Sequence, residues 1–186
     1  MKMYYTLADS PLGQLLLAAT ARGICLCSLA KSHPARLLQE KFPAADIKRD
    51  DARLKPYVQP LLRHLHGKQQ DLALPVDMAG SEFQRRVWRE LRAIPYGSTR
   101  SYQEIARRIN RPRADRAVGH ACATNPVAVI VPCHRVVRSD GGLGGFGWGL
   151  KMKEKLLAQE RASGPAHLPR RLGRRKPQRA RTEHRQ

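Results

Sequence analysis

The hydrophobic period of the chain changes near residue 80, and this change limits the available folds more than any single residue does. Up to residue 29 the apolar side chains fall into short runs suited to strands, over 4–7, 15–19 and 24–29. A Ser10-Pro11-Leu12-Gly13 turn and Arg22-Gly23 punctuate these runs. The pattern then predicts helices over 34–41 and 52–66, the second ending at Gly67, and a returning strand over 72–76. Residues 77–81 read as a connector. Beyond it the spacing becomes three and four: Phe83, Val87, Trp88, Leu91 and Ile94 share one helix face behind a Ser81 cap. Pro95-Tyr96-Gly97 breaks that helix, and Ser101 with Glu104 forms a capping box for the next. After an Asn110-Arg111-Pro112 turn a helix is expected over 113–123, stopped by Asn125-Pro126. Two short helices across a tight turn fit a helix-turn-helix, a common pattern and a weak signal by itself. Residues 127–131 form a buried strand or its extended equivalent, and a last helix runs over 150–160.

The expected fold is therefore α+β. A small N-terminal α/β domain (1–76) and the connector precede a mainly helical domain (82–160). A basic tail (161–186) without apolar period reads as disordered. The 186 residues suffice for a buried core, and nothing approaches the apolar run of about 18 residues that a membrane span requires. The N-terminus lacks the order of a secretory signal, and four cysteines (Cys25, Cys27, Cys122, Cys133) are too few for a disulfide scaffold. A reduced, cytoplasmic setting follows, nucleoid-associated if the source is bacterial.

Charge supplies the partner class. The formal net charge is +20, divided as +4 over 1–80, +8 over 81–160 and +8 over 161–186. Arg supplies 25 of the 35 basic residues, and its planar fork suits phosphate contacts. A polyanion is implied, nucleic acid before others.

Cys133 is the candidate for chemistry. It lies between Pro132 and His134-Arg135, after a buried run and before a glycine-rich loop. A thiol reacts as thiolate and needs a base or cations nearby. On a regular strand His134 would face away from Cys133, so direct pairing requires a turn, or else one bridging water. Residue types alone leave a nucleophile and an inert buried cysteine both open.

The stretch from Phe83 to Glu160 resembles the O6-alkylguanine-DNA alkyltransferases, the methylated-DNA–protein-cysteine methyltransferases. The matching residues are Phe83-Gln84, Val87-Trp88, Ile94-Pro95, Gly97, Ser101-Tyr102, Arg116-Ala117-Val118-Gly119, Asn125-Pro126, Pro132-Cys133-His134-Arg135-Val136, Gly145-Phe146, Gly149-Leu150, Lys153, Leu156-Leu157 and Glu160. Ser10-Pro11-Leu12-Gly13 with its flanking strands resembles the family's first domain. The resemblance implies a winged helix-turn-helix-like catalytic domain that binds double-stranded DNA through the minor groove and flips out an alkylated guanine. It implies irreversible, single-turnover transfer of the alkyl group to Cys133, with O4-alkylthymine a further possible substrate and no cofactor. By carry-over His134, through a water, takes the thiol proton and Glu160 orients His134. Tyr102 donates to the departing guanine, and Asn125 supports the turn beside the site. Arg116 is the finger that replaces the flipped base. Ala114, Ala117 and Ala121 offer a slim groove-facing side, although helix packing explains Ala121 equally well. Arg111, Arg113 and Lys151 are phosphate neutralisers; Val136, Phe146, Gly147 and Trp148 surround the base. The resemblance reads as a monomer, with cooperative assembly on DNA open.

Several residues depart from the family pattern. Phe146 replaces the usual Tyr, Trp148 stands where many members have a small residue and is expected to narrow the pocket, and Ser81-Glu82 replaces Gly-Thr. Some relatives hold a structural zinc in the first domain; Cys25, Cys27 and His33 are the only candidates here, and no metal is expected. A non-catalytic DNA-binding damage sensor and a Cys-His hydrolase are the competing readings. The sensor would lack the cysteine, and the hydrolase would leave a basic helix-turn-helix unexplained.

Overall fold

The computed structural model describes residues 1–30 and 32–163. Of the tail expected to be disordered over 161–186, residues 161–163 instead continue the last helix, and 164–186 lie outside the described residues. Strands β1 (Lys2–Ser10), β2 (Gly13–Thr20) and β3 (Gly23–Leu29) form an antiparallel meander, and β4 (Asp46–Arg49) adds in parallel beside β1. The sheet order is β3-β2-β1-β4. Helices α1 (Pro34–Lys41) and α2 (Asp51–Leu65) cover opposite faces: Leu38 packs with Met3, Leu16 and Leu26, while Leu54, Leu61 and Leu65 pack with Leu15 and Leu17. Gly13 sits at φ 111, the left-handed backbone that the β1–β2 hairpin needs.

The β4 strand escaped the sequence pattern because it is a charged four-residue edge with one apolar residue, Ile47. The strand expected over 72–76 is not formed. Only Val76 bridges to Ile24, and the segment follows β3 through the Ile24 N–Pro75 O and Asp77 N–Ile24 O bonds. Pro75 has no N–H to extend a ladder.

The register of β2 against β3 slips at Ala18/Ala19, leaving Cys25 as the extra residue. A bulge of this kind reverses side-chain alternation. Cys25 therefore joins the core under α1 and Cys27 the core under α2, on opposite faces. Burial pushes their thiols up, to about 11 and about 12. Among the described residues, no cluster of three or more His, Cys, Asp or Glu is placed to hold a metal ion. Nor is any described helix long and apolar enough to cross a membrane.

Past the connector come α3 (Glu82–Arg92), β5 (Arg100–Ser101), α4 (Tyr102–Arg108), α5 (Asp115–Ala123), a 3-10 turn (Cys133–Arg135), β6 (Val136–Val137) and α6 (Leu150–Ser163). Reciprocal capping boxes, Ser81 with Gln84 and Ser101 with Glu104, start α3 and α4. The α5 helix begins two residues later than the sequence suggests, with Ala114 at its cap. Val87, Trp88, Leu91, Ile105 and Val118 form the core between α3, α4 and α5, and the Trp88 indole donates to the Ala121 carbonyl at 2.8 Å.

Residues 127–131 are fully buried, but they turn rather than run as a strand. Val131 N returns to Val127 O at 2.9 Å, and Val129 sits at φ 73. A β-branched residue rarely adopts that conformation. Val127, Val129 and Ile130 fill the core under α2, so this turn is seated in the N-terminal sheet domain and delivers Cys133 from there.

Candidate active site

Cys133 opens the 3-10 turn, which resolves the problem of two adjacent reactive side chains by bending the backbone at that point. The chain enters through Pro132, and the Cys133 amide donates to Val131 O at 2.8 Å. Cys133 Sγ accepts from Asn125 Nδ2 at 3.2 Å. The same amide nitrogen donates to Val131 O at 2.8 Å, and Asn125 Oδ1 accepts from Val127 N at 3.0 Å. Asn125 thus ties the end of α5 to the turn that carries the nucleophile. Burial pushes the Cys133 thiol up, with the Asn125 bond and the Lys153 charge working against it.

Directly behind lies a buried ionic network. His134 Nε2 and Glu160 Oε1 are 2.7 Å apart, and both side chains are almost fully enclosed. Arg135 grips the carboxylate of Glu160 in a fork, with Nε to Oε2 at 2.9 Å and a second terminal nitrogen to Oε1 at 3.0 Å. Its other terminal nitrogen donates to Ile94 O at 2.7 Å. The Gly97 amide completes the shell, donating to Glu160 Oε2 at 3.0 Å. Burial raises the Glu160 carboxyl, but the bonds and charges of His134 and Arg135 outweigh it and hold the group at about 2. Burial is also the main reason that His134 titrates below its ordinary value. A neutral ring whose Nε2–H donates to an ionised carboxylate has its lone pair at Nδ1. That atom is buried and has no hydrogen-bond partner among the described residues.

Lys153 is fully buried and donates to the carbonyls of Val136 at 2.6 Å, Gly145 at 3.2 Å and Leu143. It binds the segment after Cys133 to the glycine-rich loop. Above this lies a cleft of about 600 Å³, walled by Tyr102, Gly119, Ala123, Gly144, Phe146 and Gly147 among others. Cys133, 4% exposed, does not itself line the cleft; it belongs to the core cluster against which Tyr102 and Phe146 of the wall are packed. The Tyr102 hydroxyl is pushed up to about 12 by burial, then by the nearby Cys122 and Cys133 thiols. A Cβ on Gly144 would stand 2.6 Å from that hydroxyl, and Gly144 has φ +66, so the close approach requires glycine.

The structure gathers Cys133, His134, Glu160, Asn125, Tyr102 and Val136 into one site, with Phe146 edge-on to His134 at 6.2 Å between ring centres. On α5, Arg116 and Ala117 are exposed, with Ala114 at its cap half-buried; Arg111 and Arg113 just before it and Lys151 at the start of α6 are exposed. Ala121 is corrected to a core residue: at 1% exposure it packs behind Trp88 and only floors a shallow hollow beside Ala117 and His120. Trp148 is also placed differently from expectation. It is not among the residues that wall the cleft; it meets Phe146 at a tilt, ring centres 5.7 Å apart, and leans on the core under α2. Arg135 and Lys153 were given no role by the sequence reading. The signal was there for Lys153, which shares the apolar face of α6 with Leu156, Leu157 and Glu160 at helical spacing.

Two family models match the chain: the 6-O-methylguanine DNA methyltransferase ribonuclease-like domain over residues 3–78, and the DNA binding domain of the same enzymes over 82–162. The bifunctional transcriptional activator/DNA repair enzyme Ada of Escherichia coli is 45% identical over 158 residues, 84% of this chain; the chain spans only 45% of that protein's length. The inducible methylated-DNA–protein-cysteine methyltransferase of Bacillus subtilis is 38% identical over 172 residues, covering 90% of this chain and 96% of the relative. A crystal structure of Mycobacterium tuberculosis OGT in complex with DNA superposes with a TM-score of 0.74 at 35% identity, covering 89% of this chain and 96% of that one. Matches on this scale, over a site with a buried thiol, a His–Glu pair and an exposed arginine helix, place the chain in the 6-O-methylguanine-DNA methyltransferase family.

Proposed function

We propose that the protein repairs DNA by direct reversal, moving the alkyl group of O6-alkylguanine in duplex DNA onto its own Cys133. The observation that carries this reading is the assembly of Cys133, Asn125 and the His134–Glu160 pair, with Tyr102 of the cleft wall packed against the same core as Cys133. His134 Nδ1 is the free basic atom, and it removes the Cys133 proton through one water. The thiolate attacks the alkyl carbon in line: the S–C bond forms, the C–O6 bond breaks, and the electron pair leaves on guanine. Tyr102 donates a hydrogen bond or proton to that anion. Glu160, kept ionised by Arg135, stabilises the imidazolium while it exists. A thioether does not return the carbon it has gained, so each molecule reacts once, without a cofactor.

A stacked base hides its alkyl carbon, so the guanine must leave the helix, with Arg116 of α5 filling the gap from the minor groove. Ala117 keeps that helix face slim, and Arg111, Arg113 and Lys151 neutralise phosphates. O4-alkylthymine is a second candidate substrate. A hydrolase fits less well, because the Cys133 amide is already bonded to Val131 O and is not free to stabilise an oxyanion.

The test is to incubate the protein with duplex DNA containing O6-methylguanine and weigh the tryptic peptide that holds Cys133. A peptide one methylene heavier, together with restored guanine, is expected; an unmodified peptide overturns the assignment. Cys133→Ala abolishes transfer and leaves duplex binding in place.

A further inference from the structure

The recognition helix and the cleft leave one strongly charged surface without a role. Helix α3 carries Arg85, Arg86, Arg89 and Arg92. Arg86 turns toward α4 and donates to Ile109 O at 2.9 Å, and neighbouring Glu90 is paired with Arg108 and Arg100. Arg85, Arg89 and Arg92 behave differently. At about 100° per residue they fall within an arc of about 60°, on the far side of α3 from the Val87 and Leu91 face that enters the core. All three are exposed, and none has an ion-pair partner among the described residues.

The ridge is built rather than loose. Arg85 donates to Gly80 O of the connector, and Arg92 to Leu74 O before it at 3.1 Å, so two guanidinium groups on this exposed ridge are fixed to the backbone. Between them Arg89 has no such tether. With Val76, Met78 and Trp88 the three arginines border a groove of about 410 Å³. Like charges at this spacing repel one another on a bare helix. A polyanion relieves that repulsion, and the span of about 10 Å from Arg85 to Arg92 can follow successive phosphates of one strand.

We propose that this ridge is a second duplex-binding surface, so that one molecule docks a DNA segment on α5 and holds the phosphates of another on Arg85, Arg89 and Arg92. The exposed face of α5 carries Arg116, Ala117 and His120, whereas the ridge lies on the side of α3 turned away from the shared core. Bridging requires that a straight duplex seated on α5 leave the ridge open. The proposal rests on the proposed function only in taking DNA as the polyanion.

The experiment uses the full chain on a bead-bound duplex and measures capture of a second, fluorescent duplex. Wild-type protein captures it, and with about three phosphate contacts the capture affinity falls on the order of 40-fold between about 50 and 200 mM salt. Arg89→Glu, which disturbs no tether, lowers capture about tenfold while binding of the first duplex stays within about twofold. R85E/R89E/R92E lowers it to background, and R85K/R89K/R92K retains most of it. No capture by wild type, or equal capture by Arg89→Glu, overturns the proposal; the second result would assign bridging to the tail or to self-association. Displacement of the fluorescent duplex by poly-glutamate but not by unlabelled duplex also overturns it. Alkyl transfer to Cys133 is read in the same samples, so failure of the repair reading and failure of bridging are scored separately.

Discussion

Asn125 uses both ends of its amide on the segment that carries the nucleophile, donating to Cys133 Sγ and Val131 O while accepting from Val127 N. Asn125→Ala leaves those groups without a partner and is expected to cost about 1–3 kcal/mol, read from urea denaturation, with slower single-turnover transfer. Asn125→Asp keeps the acceptor for Val127 but sets a carboxylate beside the thiol. It should therefore slow transfer more than it lowers stability. The His134–Glu160–Arg135 network makes stability depend on pH with a definite sign. Burial lowers His134 below 6.5 in the fold, so its contribution declines as the pH falls below 6.5. Glu160 stands at about 2 against an ordinary 4.5, so its contribution is complete above 4.5 and is lost toward 2. The urea midpoint should fall steadily from pH 7 to pH 3, and Glu160→Gln should flatten the lower part of that curve. A level midpoint across this range would contradict the network. Trp148 acts through Phe146, which it backs at 5.7 Å, so the cleft wall resists displacement by a large substituent. O6-benzylguanine duplexes should react well below the rate of O6-methylguanine duplexes, and comparable rates would remove that role.

At the scale of elements, the site depends on a ladder of only two residues. Arg100 and Ser101 pair in parallel with Val136 and Val137, joining the cap of α4, just before Tyr102, to the residues after Cys133. Such a ladder leaves no period in a sequence, and neither does the fork of Arg135 on Glu160. Both come from chain segments that meet only after folding. The helices, the Ser81 cap, the Ser101–Glu104 capping box and the first three strands could be read, because each carries its own local pattern. The strand expected over 72–76 failed at Pro75, and the groove-or-core ambiguity of Ala121 needed the position of Trp88. The Cys133, His134 and Glu160 set was legible through family resemblance, whereas Lys153 called for attention to a charge on an apolar face. The glycine loop gives a sharp test. Gly144→Ala places a methyl against the Tyr102 hydroxyl at positive φ. Transfer should drop at least about tenfold with duplex affinity nearly unchanged, since the change leaves the exposed side chains of α5, Arg116 among them, as they are.

Across the whole molecule, the sheet and the catalytic turn share one core. Leu15, Leu17 and Leu54 pack with Val127, Ile130 and Leu156 in a single cluster. The chain should therefore unfold in urea as one unit, with indole fluorescence from Trp88 and Trp148 and far-ultraviolet circular dichroism giving the same midpoint. Two separate transitions would show that the halves are independent. Residues 161–186 add +8 to the net charge. As a nonspecific DNA tether their removal should weaken duplex binding at low salt and flatten its salt dependence, with single-turnover chemistry unchanged at saturation. Equal slopes would count against the tether.

The turn from Val127 to Val131 also bears on how such a protein can change over generations. It belongs to the catalytic half by sequence and to the sheet half by contact. A recombination point between the halves would pair a foreign sheet with side chains shaped for another, and the first casualty would be the placement of Cys133. Descent should therefore transmit the two halves as a block, each recording substitutions accepted by the other.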